Sequence, residues 1–255
     1  MKIVRFRTDD DIAYGLAEGG GVTLYHGSPF FAWEATETMI PWERVQLLSP
    51  VLPSKLVCLG RNYVDHADEM GGEVAEEPQI FLKPATSVIG PDARIVLPPQ
   101  SREVHHEAEL AVVVGKIARN VAAEDASQYI LGYTAANDVT ARDLQRQDRD
   151  LTRAKGFDTF CPLGPAIETE FDPLEKMAVM CRVNGEIRQA GFTSEMVFGV
   201  AESLEFISSV MTLLPGDVIL TGTPSGVGPI TAGDLVEVEI DGIGVLANHA
   251  VGTRA

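Results

Sequence analysis

The sequence has little positive charge and no long apolar run. Lys and Arg together number 20 against 37 Asp and Glu, which gives a formal net charge of −17 over 255 residues. Such a chain repels the phosphates of nucleic acids and anionic lipid surfaces, so we expect neither as a partner. The longest apolar runs, such as residues 110–114, are far shorter than the roughly 20 residues of a spanning helix, so we expect no transmembrane segment. An anionic substrate would therefore need a local positive site made of Arg, Lys or a metal ion.

Cysteine is also scarce. Cys58, Cys161 and Cys181 are an odd number without the spacing of a zinc site. The first residues resemble a strand and not a signal peptide, so we expect reduced thiols in a cytoplasmic protein. Cys58 lies inside an apolar run, which favours a buried packing role over that of a nucleophile.

The composition is that of a folded globular protein, with 45% hydrophobic and 22% charged residues. Strand patterns at residues 2–7, 12–17 and 22–25 predict a small β-rich N-terminal subdomain. Pro50 and Pro53 fix an extended connector after it. We therefore predict two units, residues 1–53 and residues 54–255.

The second unit has more strand patterns than helical ones, which favours an α+β fold. Apolar strand patterns cover residues 55–59, 79–82, 110–114, 177–183, 217–220 and 235–240. Asn184-Gly185 and Asp241-Gly242 are typical hairpin turns. An apolar stripe from Val197 to Met211 predicts one helix, capped by Thr193 or Ser194, and a second helix is expected after Thr140.

Two glycine-rich segments match nucleotide-binding patterns poorly. Residues 242–247 lie too near the last residue for the helix and second strand of a dinucleotide site. Residues 221–226 lack the Lys of a phosphate-binding loop. As a loop after a strand, the second segment can still offer N–H and hydroxyl donors to an anion.

Glu107 and Glu109 precede a nearly continuous apolar run and would point to the same face of a strand. Asp138 stands at a predicted corner between a strand and a helix, where ligand sites tend to lie. Acids this close are stabilised by a divalent cation, and oxygen ligands suit Mg²⁺, Mn²⁺ or Ca²⁺. The alternative is an edge strand with two solvated acids.

Arginines recur at helical spacing after Asp138, at Arg142, Arg146, Arg149 and Arg153. Thr140 and Asp143 have the spacing of a capping box for the helix that would carry them. We expect most of these arginines to form a solvated face paired with Asp143, Asp148 and Asp150. Arg142, one turn from Asp138, is the one expected to hold a substrate carboxylate.

His66 and Glu69 are three residues apart and would be neighbours on a short helix. Glu69 could orient His66 as a general base, and the alternative is an exposed histidine beside a surface acid. The glycines and acidic residues that follow predict a mobile segment from residue 66 to residue 77, which could act as a lid.

Taken together, the motifs resemble the fumarylacetoacetate hydrolase family over residues 54–255. They are Gly60-Arg61-Asn62-Tyr63 with His66, Phe81-Leu82-Lys83-Pro84, His106-Glu107-Ala108-Glu109-Leu110, Asn137-Asp138-Val139-Thr140-Ala141-Arg142-Asp143, Ala154-Lys155-Gly156-Phe157-Asp158 and Leu220-Thr221-Gly222-Thr223-Pro224. The resemblance implies a mixed β-sheet roll with a pseudo-barrel core and a homodimer.

The resemblance also implies roles for individual residues. Glu107, Glu109 and Asp138 would be ligands of Mg²⁺ or Mn²⁺, in agreement with the reading from charge and spacing. His66, Glu69 and Lys155 would be catalytic. Substrate-binding roles would belong to Arg142, Gln145 and Thr223.

The implied substrate is a small anionic 2-oxo acid, whose C–C bond breaks through a metal-bound enolate. Acylpyruvate hydrolase and oxaloacetate decarboxylase are the first expectations. An isomerase of the 2-hydroxyhepta-2,4-diene-1,7-dioate type, which serves in aromatic-acid catabolism, is the second. A binding protein that kept the fold without catalysis is the remaining alternative, although the acids, His66 and Lys155 are all present.

Overall fold

The described residues form three β-sheets and a few short helices, as expected of an α+β protein. The computed structural model describes residues 1–9, 11–69, 71 and 75–253. Its largest sheet contains, in spatial order, β4 (Trp33–Pro41), β3 (Gly21–Gly27), β2 (Ile12–Glu18), β1 (Lys2–Arg7), β14 (Cys161–Glu168), β12 (Ile130–Asn137), β11 (Ala108–Val114), β17 (Val218–Leu220), β6 (Leu56–Gly60) and β7 (Gln79–Lys83). Off this path, β5 (Gln46–Leu48) pairs with β1, and β8 (Val88–Ile89) pairs with β14.

Two smaller sheets lie beside the large one. The first contains β13 (Thr140–Ala141), β10 (Val104–His106) and β18 (Gly228–Pro229). The second contains β16 (Glu186–Phe192), β15 (Ala178–Val183), β19 (Leu235–Ile240), β20 (Gly244–Gly252) and β9 (Arg94–Leu97). The two predicted hairpin turns are confirmed, since Asn184-Gly185 joins β15 to β16 and Asp241-Gly242 lies between β19 and β20.

The helices are α1 (Val64–Glu69), α2 (Arg142–Gln147), α3 (Thr152–Lys155) and α4 (Val200–Val210). Short 3₁₀ turns cover Trp42–Arg44, Ala85–Ser87, Ala123–Tyr129 and Thr193–Glu195. Among the described residues, no helix combines the length and apolar character needed to cross a bilayer.

The strand β11 lies at the centre of the core. All its residues are buried, because it lies between β12 and β17 and has packed side chains on both faces. Leu110, Val112 and Val114 pack in one apolar cluster, while Ala111 and Val113 pack in another. A strand covered on both faces reads as a continuous apolar run, which explains the pattern at residues 110–114.

The N-terminal strands continue the large sheet. Ile3 of β1 pairs with Ile167 of β14, and β2, β3 and β4 follow β1 outwards. The β-rich character predicted for this region is present. The division of the chain at residue 53 stays a prediction.

The predicted start of the helix α4 is wrong. Its N-cap is Gly199, whose N–H donates to the Glu202 carboxylate at 2.9 Å. Thr193 lies in the preceding 3₁₀ turn, and its hydroxyl donates to the Glu175 carbonyl. The Val197 N–H donates to the Asn62 carbonyl at 2.8 Å, which keeps this part of the apolar stripe outside the helix.

The capping box predicted for α2 is also wrong. Its N-cap is Ala141, without a side-chain cap. The Thr140 hydroxyl donates to the Asp138 carbonyl at 2.8 Å, and Asp143 accepts instead from the Ser101 hydroxyl at 2.6 Å. Asp143 therefore bonds to Ser101, which is distant in sequence, and not to the predicted neighbour Thr140.

The arginines after Asp138 do not share one helical face, because the chain bends between α2 and α3. Arg146 pairs with Glu103 instead of Asp143, whereas Arg153 pairs with Asp148 as expected. The predicted solvated face is therefore only partly correct.

Candidate active site

The acidic residues Glu107, Glu109 and Asp138 lie together in the interior. Each offers a carboxylate oxygen, and these three atoms lie within 4.8 Å of one another. The side chains are almost inaccessible, at 4%, 1% and 1% exposure. The alternative of two solvated acids on an edge strand is therefore wrong.

Backbone pairing next to the acids sets this geometry. Glu107 falls in the break between β10 and β11, and Asp138 follows β12 directly. Ala108 pairs with Asn137 in the ladder of β11 and β12, and the Asp138 N–H donates to the Glu107 carbonyl at 2.9 Å. The Asn137 amide oxygen also accepts from the Glu107 N–H at 3.0 Å, so the two strand ends are fixed to each other.

Lys155, in α3, connects two of the three acids. Its ammonium group donates to Glu107 at 2.8 Å, to Asp138 at 2.6 Å and to the Thr140 hydroxyl at 2.7 Å. Burial disfavours the ammonium ion, but the charges of Asp138 and Glu107 outweigh burial and raise the pKa of Lys155. Lys155 therefore carries its charge at neutral pH.

Two further cations complete the cluster. The Arg142 guanidinium, only 3% exposed, donates to Glu107, and it also donates to the Gln145 side-chain oxygen at 2.6 Å. Lys83 is buried and donates to the other oxygen of Asp138. Sequence reasoning missed Lys83, although a lysine that closes an apolar strand pattern before Pro84 was a usable signal.

Glu109 differs from its two neighbours. It accepts a hydrogen bond from the Gly222 N–H at 2.7 Å and pairs with no cationic side chain in the described part of the chain. Burial, together with the Asp138 and Glu107 carboxylates, raises the pKa of Glu109 well above its usual value. Burial also acts on Glu107, but Lys155 and Arg142 outweigh it and hold the pKa of Glu107 well below its usual value.

This donor set fits a divalent cation. Three buried carboxylate oxygens are close enough to share one ion, and Glu109 presents an acid that lacks a counter-charge. Hard oxygen ligands of this kind suit Mg²⁺ or Mn²⁺. Glu107, Glu109 and Asp138 are thus the residues that could hold such an ion.

The loop at residues 221–226 closes one side of the site. Gly222 has a φ of 92°, and a Cβ there would lie 2.8 Å from the Cβ of Asn62, so the position requires glycine. The Thr223 hydroxyl donates to the Ala108 carbonyl at 2.7 Å and accepts from the Gln189 amide at 2.7 Å. The Thr223 hydroxyl proton therefore takes part in a hydrogen bond within the protein. Its predicted donation to a substrate stays a prediction.

Gln189 is a second residue that sequence reasoning missed. It is fully buried, and its side-chain oxygen accepts from the Ala108 N–H at 3.0 Å and lies 2.9 Å from His106 Nδ1. Its side-chain nitrogen donates to Thr223, so it joins β11 to the glycine loop. No sequence pattern marks it, since it lies in the hairpin strand β16, whose first three residues are exposed.

His66 and Glu69 lie on α1, and the structure brings them together. His66 Nδ1 lies 3.3 Å from a Glu69 oxygen, and His66 is only 6% exposed, so the alternative of a solvated histidine is wrong. Glu69 also accepts from the Gly226 N–H at 3.1 Å, which connects α1 to the glycine loop. Met70 and residues 72–74 lie outside the described residues, so the mobility predicted for residues 66–77 stays a prediction.

A cavity of about 300 Å³ opens at this cluster. Residues from several elements line it, including His66, Glu107, Glu109, Arg142, Gln145, Lys155 and Thr223. Arg61 and Arg149 also line it, together with Gln79, Phe81 and Gly222. All the predicted site residues except Glu69 and Asp138 reach the wall, and those two contact it through His66 and Lys155.

The segments set aside in the sequence have ordinary structural roles. Cys58, Cys161 and Cys181 are free and buried, and burial raises the pKa of each thiol. Cys58 therefore packs in the core, as expected. Gly242 lies in the turn between β19 and β20.

Comparison with known proteins assigns the family. A family model described as fumarylacetoacetate (FAA) hydrolase C-terminal matches residues 55–251, and one described as Rv2993c-like, N-terminal matches residues 1–50. Human mitochondrial oxaloacetate tautomerase FAHD2B is 46% identical over 226 residues, which cover 84% of this chain and 72% of the human protein.

Solved structures agree with this assignment. A 2-hydroxyhepta-2,4-diene-1,7-dioate isomerase from Mycobacterium marinum is 44% identical with a TM-score of 0.92, covering 100% of both chains. A maleylpyruvate hydrolase from Sphingobium sp. SYK-6, solved in complex with manganese(II) and pyruvate, is 31% identical with a TM-score of 0.83 and the same coverage. The chain therefore belongs to the fumarylacetoacetate hydrolase family, whose members include tautomerases, isomerases and hydrolases.

Proposed function

We propose that this protein is a Mg²⁺- or Mn²⁺-dependent enzyme that cleaves a C–C bond of a 2-oxo acid, as an acylpyruvate hydrolase or an oxaloacetate decarboxylase. One observation carries the proposal. Three buried carboxylates lie together, and Glu109 lacks a cationic partner among the described residues. Two of them, Glu107 and Glu109, line a cavity that is also lined by His66, Arg142 and Lys155. The relative solved with manganese(II) and pyruvate supports both the ion and the substrate class.

In this proposal the protein supplies the ligands and the positive charge. Glu107, Glu109 and Asp138 would hold a divalent cation, which would supply Lewis-acid stabilisation for the negative charge of a 2-oxo acid's enolate. Arg142 and Lys155 neutralise two of the acids and face the same cavity. Gln145, which accepts from Arg142, helps to orient that guanidinium toward the substrate carboxylate.

His66 is the proposed base. Because Glu69 contacts Nδ1, the proton belongs on Nδ1 and leaves Nε2 free to take a proton from water. In hydrolysis that water attacks the distal carbonyl, the C–C bond breaks, and its electron pair stays on the pyruvyl half as the enolate. The enolate then takes a proton and leaves as pyruvate. In decarboxylation CO₂ departs to give the same enolate, and His66 is not needed as a base toward water.

Proton transfer without C–C cleavage is the second candidate. Two relatives that are 44% and 46% identical to this chain are named as an isomerase and an oxaloacetate tautomerase. Both reactions would use the same enolate, with His66 moving the proton instead of activating water. A protein that binds 2-oxo acids without turnover is the remaining alternative.

Turnover of four substrates separates these functions. Acetylpyruvate, fumarylpyruvate, oxaloacetate and 2-hydroxyhepta-2,4-diene-1,7-dioate would each be incubated with Mg²⁺, with Mn²⁺ and with a chelator. Pyruvate release with metal indicates cleavage, and a change in enol absorbance without pyruvate indicates proton transfer. The same assays would be run on His66→Ala, which removes the proposed base. His249→Ala is its control, because it removes an exposed histidine of β20. Turnover unaffected by the chelator, or no turnover of any substrate, would contradict the proposal.

A further inference from the structure

Two arginines on the wall of the cavity have no anionic partner among the described residues. Arg61 and Arg149 line the same cavity as the acidic cluster, and no ion pair or hydrogen bond joins either side chain to another described residue. Arg142 and Lys155, in contrast, are already neutralised by Glu107 and Asp138. In a chain with a net charge of −17, two exposed arginines on the wall of one cavity, without an anionic partner in the described part of the chain, create a local positive field that attracts anions.

The backbone at Arg61 is held in an unfavourable conformation. Its φ is 55°, in the left-handed region that residues other than glycine rarely adopt. The following residue, Asn62, fixes the chain there, because its amide donates to the carbonyls of Phe198 at 2.9 Å and Thr221 at 2.8 Å and its oxygen accepts from the Phe198 N–H at 2.8 Å. Strain that the surroundings maintain at a cavity is typical of a functional position.

The acids next to Arg149 are engaged elsewhere. Arg149 lies in the bend between α2 and α3, flanked by Asp148 and Asp150. Asp148 accepts two hydrogen bonds from Arg153, at 2.7 and 2.6 Å, and Asp150 accepts from the Thr152 N–H at 2.9 Å. Neither of these two carboxylates forms an ion pair with Arg149, so its guanidinium stays available to the cavity.

From these observations we infer that Arg61 and Arg149 form a second anion subsite, which binds the distal carboxylate of a dicarboxylic 2-oxo acid. This inference rests on the proposed function, in which the first carboxylate and the keto oxygen face the acidic cluster. The second carboxylate then contributes to the choice of substrate, and dicarboxylic 2-oxo acids are preferred to monocarboxylic ones of the same length.

Matched pairs of stable ligands test the subsite. Dissociation constants would be measured by calorimetry with Mg²⁺ for 2-oxoglutarate against 2-oxopentanoate, and for 2-oxoadipate against 2-oxohexanoate. Within each pair a terminal carboxylate replaces a methyl group. The wild-type protein should bind at least one dicarboxylate about tenfold or more tightly than its partner, since charge-assisted hydrogen bonds add to the shared contacts.

Variants assign the preference to the two arginines. Arg61→Gln and Arg149→Gln should each weaken dicarboxylate binding about fivefold to tenfold and leave the monocarboxylate constants within about twofold. Arg149→Lys should keep part of the preference. Arg119→Gln is the control, because it removes the same charge from an exposed arginine outside the cavity. Since all three arginines are exposed, the variants should keep the wild-type melting temperature.

The outcomes distinguish a failure of the subsite from a failure of the proposed function. If both members of each pair bind with equal affinity, or if the preference survives in Arg61→Gln and Arg149→Gln, the subsite is wrong and the proposed function stands. If neither type of 2-oxo acid binds with Mg²⁺ or Mn²⁺, the proposed function and the subsite are both overturned.

Discussion

Buried carboxylates lie at two places in this molecule, at Asp217 and in the cluster of Glu107, Glu109 and Asp138. The two places differ in how many hydrogen bonds and positive charges the protein provides to the carboxylates. Asp217, at the start of β17, has an inaccessible side chain and accepts hydrogen bonds from Ser54, Lys55 and Leu214. These donors include three backbone N–H groups and the hydroxyl of Ser54, and Lys55 adds a salt bridge. Despite burial, these partners lower the pKa of Asp217.

The acidic cluster is built differently. Glu107 and Asp138 are matched by cations, but Glu109 has the Gly222 N–H and no cationic partner in the described chain. Burial and the two neighbouring carboxylates raise the pKa of Glu109, so its ionised form is costly unless a cation compensates it. The contrast separates a carboxylate whose hydrogen bonds and charge are matched within the protein from one that could hold a cation.

The largest expected effect concerns His66, which lines the cavity and is the proposed base. His66→Ala should lower the rate of acylpyruvate hydrolysis roughly 10² to 10⁴-fold, the usual contribution of a general base. Decarboxylation of oxaloacetate should fall much less, because it requires no attack by water. Both rates are measured at saturating Mg²⁺, with His249→Ala as the control. Equal losses in both reactions would show that His66 and Glu69 serve a common step such as closure over the substrate.

Replacing one carboxylate in the acidic cluster and the carboxylate of Asp217 in turn tests whether the two places have different roles. Asp138→Asn should weaken Mn²⁺ binding and depress hydrolysis and decarboxylation together, by about 10²-fold or more, because in the proposed mechanism both pass through an enolate that needs the ion. Asp217→Asn should leave the Mn²⁺ dissociation constant and kcat within about twofold, since the change lies outside the cavity. Comparable losses in the two variants would remove the distinction.

Asp217 should matter for the stability of the fold, although it is not expected to matter for metal binding. Asp217→Ala leaves the Lys55 ammonium and several N–H donors unpaired, so it should lower the free energy of unfolding by about 3 to 5 kcal/mol. Urea unfolding without metal measures this loss. A cost below about 1 kcal/mol would mean that Asp217 is no more than a surface-type pair.

A smaller effect concerns pH. Because the folded-state pKa of Asp217 is lowered, its ionised form stabilises the fold fully above the unfolded pKa of about 3.9. That contribution is lost as the pH falls through the lower folded pKa. The stability difference between the wild type and Asp217→Asn should therefore be constant from neutral pH to about pH 5 and shrink below about pH 4. Urea titrations at several pH values provide the check, and a difference that grows on acidification would contradict the assignment.

Much of this architecture is predictable from local patterns. The strand predicted at residues 235–240 has the observed bounds, and the one at residues 79–82 ends one residue before β7 does. The acids Glu107 and Glu109 stand out because an apolar run follows them directly, and the apolar run in turn reflects a strand covered on both faces. Period and composition are local properties, so they are readable without tertiary contacts.

Long-range partners limit prediction. Lys83 meets Asp138 across 55 positions of sequence, and Gln189 meets His106 across 83. Asp143 does not complete the predicted capping box, because its carboxylate accepts a hydrogen bond from Ser101, 42 positions away. Such choices depend on which segments the fold brings together, and no local pattern encodes them.

The most direct test of the account is the binding of Mn²⁺ to the wild type, Glu109→Gln and Asp217→Asn, measured by calorimetry on the purified protein. Glu109→Gln keeps the size of the side chain and removes the one acid of the cluster without a cationic partner among the described residues. We predict one ion per chain for the wild type and for Asp217→Asn with similar dissociation constants, and binding at least about 10²-fold weaker for Glu109→Gln. Wild-type affinity in Glu109→Gln, or no binding to any of the three proteins, would contradict the account.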